Sequence, residues 1–511
     1  MGESDVGIPG TVSGTQHSVK RNCKMNIDEF KKFAGASIDY IADYCENIRD
    51  VAVLPNVEPG YLSQQLPKRA PEQPEHWTKL MTDLDESIKP GLTHWHSPYF
   101  HAYFPTAQSY PAIIGELFMA GIGAVGTDWE SSPAIVELEV RVMDWLAKIL
   151  GLPEEFLNCS DGPGGGVIQN AASDSTLVGL LSASDKKIKQ LKRLDPRTTK
   201  SEIRGKLVAY TSKESNSSVE KSGLIASVKM RLLPTDSEGS LRGRALNEAV
   251  SKDLAEGLIP FCVVASLGTT GTCAMDNVEE LGEICLKQGM WLHVDAAYAG
   301  TALACPEYRY LLKGIEYVDS FNFNPHKWML VNGDCSAMWF RNCKYVEEAF
   351  EKKSTLSQSV VPEIERWQIP NVRRFRALKL WFVIRIYGVD GIQKHVRHHV
   401  SLAKHFEALV NADERFEVVI SSLGVVCFKL LRDEALTQVI LEKIAKRKNI
   451  FIMPYYYKSQ LLFRFVVCSR FTQYEDIDKS WQEILSQTDE VLSKKGEMCK
   501  EVDNICPFGR F

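Results

Sequence analysis

Apolar residues along the first part of the chain fall at helical spacing: Phe30, Phe33, Ile41, Tyr44 and Ile48 recur between Asn26 and about Arg49. Pro55, Pro59, Pro67, Pro71 and Pro74 then break the pattern, and a second helix is predicted over about Trp77 to Ile88. Two helices on a proline-rich strap are too little to fold alone. The segment suits an arm around a partner subunit, or packing on its own domain. Helices are also predicted over 111–126 and 133–150. Further on the period changes. Lys206–Ser212, Met230–Pro234, Phe261–Gly268, Leu292–Asp295, Ser320–Phe323 and Ser336–Phe340 read as strands, with helical stretches at Leu241–Ala255 and Val278–Gln288. This alternation predicts an α/β fold with a mostly parallel sheet covered on both faces. A long helix at Arg374–Ile386 leads out of it. From about residue 393 the pattern runs helix, strand, helix, strand, strand (Leu461–Cys468) and helix, which suits a small α+β domain.

The organisation expected is therefore a disordered, polar tail over 1–24, a helical arm over 25–109, a large domain over 110–392 and a small domain over 393–511. The chain has 511 residues, 44% hydrophobic and 24% charged, as in soluble globular proteins. A net charge of -5 shows no basic excess, so nothing points to nucleic acid. No run of about 18 apolar residues suggests a membrane span. Gly2 invites myristoylation, but Val6 stands where that motif needs Ser or Thr. The 13 cysteines are odd in number and scattered, and no signal peptide is evident, so reduced thiols in the cytoplasm are expected. No His or Cys spacing suits a metal.

Candidate chemistry begins at Asn324-Pro325-His326-Lys327-Trp328. Val318–Phe323 reads as a buried strand, with Pro325 preventing its continuation into a helix and Lys327 held on a rigid turn. A lysine among aromatics loses hydration, and desolvation lowers its pKa toward the neutral amine that forms a Schiff base with a carbonyl cofactor. A surface lysine at a strand end is the plain alternative. Upstream, Trp291–Asp295 is a strand ending in a carboxylate before Ala296-Ala297-Tyr298. Asp295 would lie at the carboxyl edge of the sheet, where open α/β folds bind ligands, or it caps the next helix. A carboxylate there keeps a pyridine nitrogen protonated. Together the two stretches point to pyridoxal 5′-phosphate. Asp161–Gly166 is glycine-rich but lacks the ending of a nucleotide P-loop. Asn170-Ala171-Ala172-Ser173 opens a helix, where Ser173 either caps or donates to a single phosphate. His94–Thr106, dense in aromatics and histidines, is either a core seam or a flat pocket for a ring-bearing substrate.

Three stretches carry a resemblance: His96-Ser97-Pro98-Tyr99-Phe100-His101-Ala102-Tyr103-Phe104-Pro105-Thr106, Asp295–Gly300 and Asn322–Trp328. From about Met25 to Ile484 the chain resembles the group II pyridoxal-phosphate decarboxylases of fold type I, within the aromatic-L-amino-acid decarboxylase family. The resemblance implies a seven-stranded sheet and an obligate homodimer with active sites at the subunit interface. It implies Lys327 as the Schiff-base lysine and Asp295 as partner of the pyridine nitrogen. Ala172, Ser173 and Asn324 would hold the phosphate, with Thr270 and Ala297 near the ring. Trp95, Tyr103, Phe104, Thr106 and His326 match the substrate pocket.

The chain also departs from that family. A histidine that stacks on the cofactor ring there is Asn216 here, within Ser215-Asn216-Ser217-Ser218-Val219-Glu220-Lys221. The family's mobile-loop tyrosine, which reprotonates the α-carbon, has no counterpart in Glu351–Arg366, a stretch expected to be mobile. Two aromatic pocket positions look replaced by Thr127 and Gly333. The Asn-for-His change resembles the insect subgroup of 3,4-dihydroxyphenylacetaldehyde synthases. It implies decarboxylation coupled to oxidative deamination of L-dopa or a related aromatic amino acid by O2. A conventional decarboxylase producing dopamine, or a non-catalytic paralogue, are the other readings.

Overall fold

A computed structural model describes residues 25–350, 362–431 and 434–493. The tail expected over 1–24 and most of the loop expected over Glu351–Arg366 lie outside these residues. The chain divides into two compact units: residues up to Ile48 with Asn56–Gly91, and Arg49–Pro55 with everything from Leu92 onward.

In the first unit the helix Ile27–Glu46 starts at Asn26. The Asn26 carboxamide accepts from the N–H groups of Asp28 and Glu29, while the Glu29 carboxylate accepts from the Asn26 N–H. Phe33 stacks on Trp77 of the helix Trp77–Asp83 at 5.3 Å between ring centroids.

The second unit is built on β1 (Gly165–Gln169), β2 (Leu207–Ser212), β3 (Lys229–Leu233), β4 (Ile259–Ser266), β5 (Trp291–Asp295), β6 (Ser320–Phe323) and β7 (Ser336–Phe340), in the order β1-β7-β6-β5-β4-β2-β3. β7 runs antiparallel to both its neighbours, and the remaining pairs are parallel. Six of these strands lie within a residue or two of the predicted positions. β1 was hidden because its first residues belong to the glycine run, which reads as a turn. The glycines serve packing instead: a Cβ at Gly164 would lie 1.8 Å from the Glu155 carbonyl oxygen, and one at Gly166 2.5 Å from the Trp339 ring. Phe321, Phe323, Trp339 and Tyr210 are fully buried on this sheet.

A smaller antiparallel sheet follows, of β8 (Phe416–Ser422), β9 (Val425–Leu430), β10 (Met453–Tyr457) and β11 (Gln460–Val466), ordered β10-β11-β9-β8. Where one strand was expected before the helix Glu434–Arg447, the structure has the hairpin β8–β9, turned at Leu423 (φ 51°) and Gly424. A leucine in the left-handed region is not a turn signal that sequence advertises. The long helix Arg376–Asn411 crosses the expected boundary at 392/393 and is broken only at Gly388, whose φ of 65° needs glycine. No helix of the described residues is long and apolar enough to cross a membrane.

The helix Tyr110–Ile122 packs against this long helix so closely that a Cβ on Gly115 would lie 2.7 Å from the Lys379 Cα. Gly115→Val should therefore overpack the crossing and cost about 1–3 kcal/mol, measured as a lowered midpoint of chemical unfolding.

Candidate active site

Five strands of the large sheet end at one cavity of about 240 Å³. β1 leads into Ala171, Ala172 and Ser173; β2 into Asn216 and Ser218; β4 into Ser266, Gly268, Thr269 and Thr270; β5 into Asp295 and Ala297; β6 into Asn324, His326 and Lys327. Parallel strands aim their carboxyl ends the same way, which is how residues as far apart in the chain as Ala171 and Lys327 converge.

Lys327 sits on a single helical turn, Pro325–Trp328, in which its N–H donates to the Asn324 carbonyl at 2.9 Å. Proline was expected to prevent a helix here. Instead it starts one, because at the first helical position its fixed φ fits and no N–H is required. The turn is anchored by Trp328, whose indole N–H donates to His399 Nδ1 at 3.0 Å. Burial, and to a smaller extent the Arg464 guanidinium, push the Lys327 pKa down, while the Asp295 carboxylate acts the other way.

Asp295 Oδ1 accepts from the Ala297 N–H at 3.0 Å and from the Asn322 amide at 3.3 Å. The helical turn that follows starts at Tyr298 without a side-chain cap, so Asp295 is no helix cap. Ser173 is no cap either. The helix Ala172–Leu194 begins at Ala171 with no side-chain cap, leaving the N–H groups of Ala172 and Ser173 at the cavity. Gly268, between β4 and Thr269, has φ 89°, and a Cβ there would meet the Ala299 Cβ at 2.8 Å.

His326 Nδ1 accepts the Cys335 N–H at 3.0 Å, which puts the ring proton on Nε2. Burial, reinforced by Lys327, lowers its pKa to about 4, so the ring is neutral at neutral pH. Nε2 lies 3.3 Å from the Asn324 amide, whose Oδ1 is buried without a partner. Turning that amide over would let Oδ1 accept the Nε2 proton.

Asn216 does two things at once. Its Oδ1 accepts from the Ser218 N–H at 2.9 Å, capping the helix Ser217–Ile225, and its Nδ2 donates to Thr270 Oγ1 at 2.8 Å.

The structure thus brings Ala172, Ser173, Asn216, Thr270, Asp295, Ala297, Asn324, His326 and Lys327 together in one cavity. The aromatic run divides. Phe100 and His101 are fully buried, and His101 Nε2 pairs with Ser480 Oγ at 2.9 Å, so this part is a core seam. Phe104 lies beside Lys327, whose Nζ is 5.1 Å from its ring centre, and stacks on Tyr298 at 4.0 Å. Thr106 shares a small recess with Lys327. Trp95 stacks on Tyr103, which is 43% exposed. Thr127 and Gly333 do not line the cavity in the single chain. Ala171, Ser218, Ser266, Gly268 and Thr269 were not anticipated as lining residues. Only Ser218, directly after Asn216-Ser217, carried a usable signal.

Comparison with known proteins agrees with this geometry. Residues 59–431 match the model of the pyridoxal-dependent decarboxylase conserved domain. The chain belongs to the pyridoxal-dependent decarboxylases. It is 50% identical to an aromatic-L-amino-acid decarboxylase of Drosophila simulans over 96% of this chain and 97% of that one. It is 49% identical to a 3,4-dihydroxyphenylacetaldehyde synthase of Aedes aegypti, covering 92% and 91%. The crystal structure of Catharanthus roseus tryptophan decarboxylase superimposes with a TM-score of 0.87 at 37% identity, covering 92% of this chain and all of that one.

The cofactor of these enzymes is pyridoxal phosphate, and the cavity has the groups to take it. Free helix N–H groups suit the phosphate, the unpaired side of the Asp295 carboxylate suits a protonated ring nitrogen, and Lys327 suits the carbonyl.

His293 behind Asp295 and His326 in the cavity are both held at about pKa 4, chiefly by burial. The unfolded chain takes up protons below about pH 6.5, whereas these rings refuse them until about pH 4. Their stabilisation is complete above the unfolded value and is lost as pH falls through the folded one, about 3 kcal/mol for the 1%-exposed His293. His96, His101 and His395, at about 4, 3 and 4, act in the same sense. Asp276, raised to about 7 by burial, opposes them. The urea midpoint should fall between pH 6.5 and 5, above the ordinary carboxylate range. A flat profile would contradict the burial of these rings.

Proposed function

We propose that this decarboxylase couples loss of CO2 to oxidative deamination of an aromatic L-amino acid, L-dopa first. The reaction consumes the amino acid, O2 and water and releases 3,4-dihydroxyphenylacetaldehyde, CO2, ammonia and hydrogen peroxide, two electrons passing from substrate to O2. Bound pyridoxal phosphate supplies the electron withdrawal that lets charge develop at the substrate α-carbon. Lys327 offers an amine with lowered proton affinity to the cofactor carbonyl, Asp295 keeps the ring nitrogen protonated, and the N–H groups of Ala172 and Ser173 hold the phosphate. Phe104 and Thr106 border the space left for the substrate ring.

The observation that carries the reading is residue 216. Its amide is committed to Ser218 and Thr270 and has no proton that titrates near neutral pH. Glu351–Arg366 contains no tyrosine. An electron-rich α-carbon without a prompt proton donor is open to O2. The Aedes aegypti relative bears the name of such a synthase, at nearly the same identity as the Drosophila simulans decarboxylase. Conventional decarboxylation to dopamine is therefore the second reading. Lys327 and Asp295, which line one cavity, speak against a non-catalytic paralogue. Purified protein with pyridoxal phosphate and L-dopa in air should give peroxide and ammonia in step with CO2 and little dopamine. Asn216→His should raise the amine fraction. Dopamine without oxygen uptake would overturn the assignment.

We also infer a homodimer. On the helix Tyr110–Ile122 the single chain exposes Leu117 (48%), Phe118 (51%) and Ile122 (61%), continued by Val125 and Trp129. Such a patch calls for cover. Thr127 lies within this stretch, so the same cover would bring a second subunit to it. Phe118→Asp with Ile122→Asp should give a monomer by light scattering, with decarboxylation lost. An unchanged dimer would place the interface elsewhere.

A further inference from the structure

The small C-terminal sheet reaches the residue that carries the reading above. β10 and β11 pair with Tyr455 opposite Leu462 and Met453 opposite Arg464, so Tyr455 and Arg464 project from the same face. Both land on Gly271. Arg464 Nε donates to the Gly271 carbonyl at 2.9 Å. The Tyr455 ring lies over Gly271 so closely that a Cβ there would sit 1.9 Å from it. At its far end the Tyr455 hydroxyl donates to the Glu214 carboxylate at 2.6 Å. Gly271 follows Thr270, and Glu214 stands two residues before Asn216. One tyrosine therefore touches both segments that meet in the hydrogen bond from Asn216 Nδ2 to Thr270 Oγ1.

Glu214 follows β2 and Thr270 follows β4; these strands pair from Leu207 with Ile259 to Thr211 with Val264, and the pairing stops short of both residues. Tyr455 spans that gap with a rigid ring and a charge-assisted hydrogen bond, which is among the stronger polar contacts. The position lies far outside any cofactor-binding motif, so the active-site stretches of the sequence do not reveal it.

We propose that Tyr455 is a positioning residue for the Asn216 amide: by bracing Glu214 against Gly271 it fixes how residue 216 faces bound pyridoxal phosphate, and so sets the share of turnovers that end with O2. This role presupposes the oxidative chemistry proposed above, but the bracing itself is readable without it. Tyr455→Phe removes the hydroxyl and keeps the ring, Glu214→Ala removes the acceptor, and each is combined with Asn216→Ala in full-length holoenzyme. Three quantities are read: the visible circular dichroism band of bound pyridoxal phosphate, the ratio of peroxide to CO2, and total CO2 release.

Either single change should alter the peroxide ratio by about threefold or more and change the dichroism band, with CO2 release within about twofold. In the Asn216→Ala background neither should have any further effect, because the group being positioned is gone. Effects that persist undiminished in that background, or no effect on either ratio or band, would overturn the role. Should the wild type form no peroxide, the oxidative reading fails. The band then decides the bracing alone: a change that vanishes with Asn216 upholds it, and an additive one does not. If Tyr455→Phe does not fold, Glu214→Ala carries the comparison.

Discussion

An ammonium carried into a protein interior loses its hydration, and at Lys327 only the Asp295 carboxylate works against that loss. The positive charge of Arg464 adds to the loss. The neighbouring His326 cannot share the burden, since its own burial holds it neutral and the Cys335 N–H fixes which nitrogen is bare. The cavity thus tips its lysine toward the free amine while holding one carboxylate a strand away. The two strand ends that carry these groups, β5 and β6, are held side by side by the pairing of Asp295 with Asn322.

Holding them requires polar groups far from water, and these are grouped rather than scattered. Arg376, 4% exposed, donates to Asp334, to the Asn170 amide oxygen and to the Ile168 carbonyl. It therefore joins the end of β1, which leads into the Ala172 and Ser173 cradle, to the segment whose Cys335 N–H orients His326. Lys379, 1% exposed, pairs with Glu116 on the crossing helix, and Arg373 pairs with Glu139. Buried pairs of this kind add little net stability, but removing one partner strands the other at a cost of about 3–5 kcal/mol. Such a network fixes geometry more than it adds stability, which is what a site assembled from five strand ends needs.

How much of this could be read from sequence depends on the range of the interactions involved. The parallel strands and their helices were legible because each is a local pattern, and Lys327 and Asp295 because each closes such a pattern at a predictable edge. β1 was not, since Gly164 and Gly166 are required by Glu155 and Trp339, contacts from distant parts of the chain. The split of the aromatic run was equally invisible: His101 is claimed by Ser480 and Phe104 by Tyr298, and nothing in the run itself ranks them. Asn216 shows the opposite failure. An asparagine before Ser-Ser-Val-Glu is an ordinary helix-start signal, and the same side chain stands where the resembled family has an imidazole.

That cap bears on why residue 216 is free to vary. If the helix Ser217–Ile225 depended on an asparagine, the amide would be explained by folding and would say nothing about chemistry. Histidine can do the same task, however: in this chain His76 starts the helix Trp77–Asp83, its Nδ1 accepting from the Thr78 N–H. A histidine at 216 could cap through Nδ1 in the same way and still present an imidazole to the cavity. The cap by itself therefore does not require asparagine, while the cavity distinguishes the two residues, since one offers a flat titratable ring and the other a small amide tied to Thr270. A choice that the cap does not dictate, made at the wall of the cavity, is most economically explained by the reaction that takes place there.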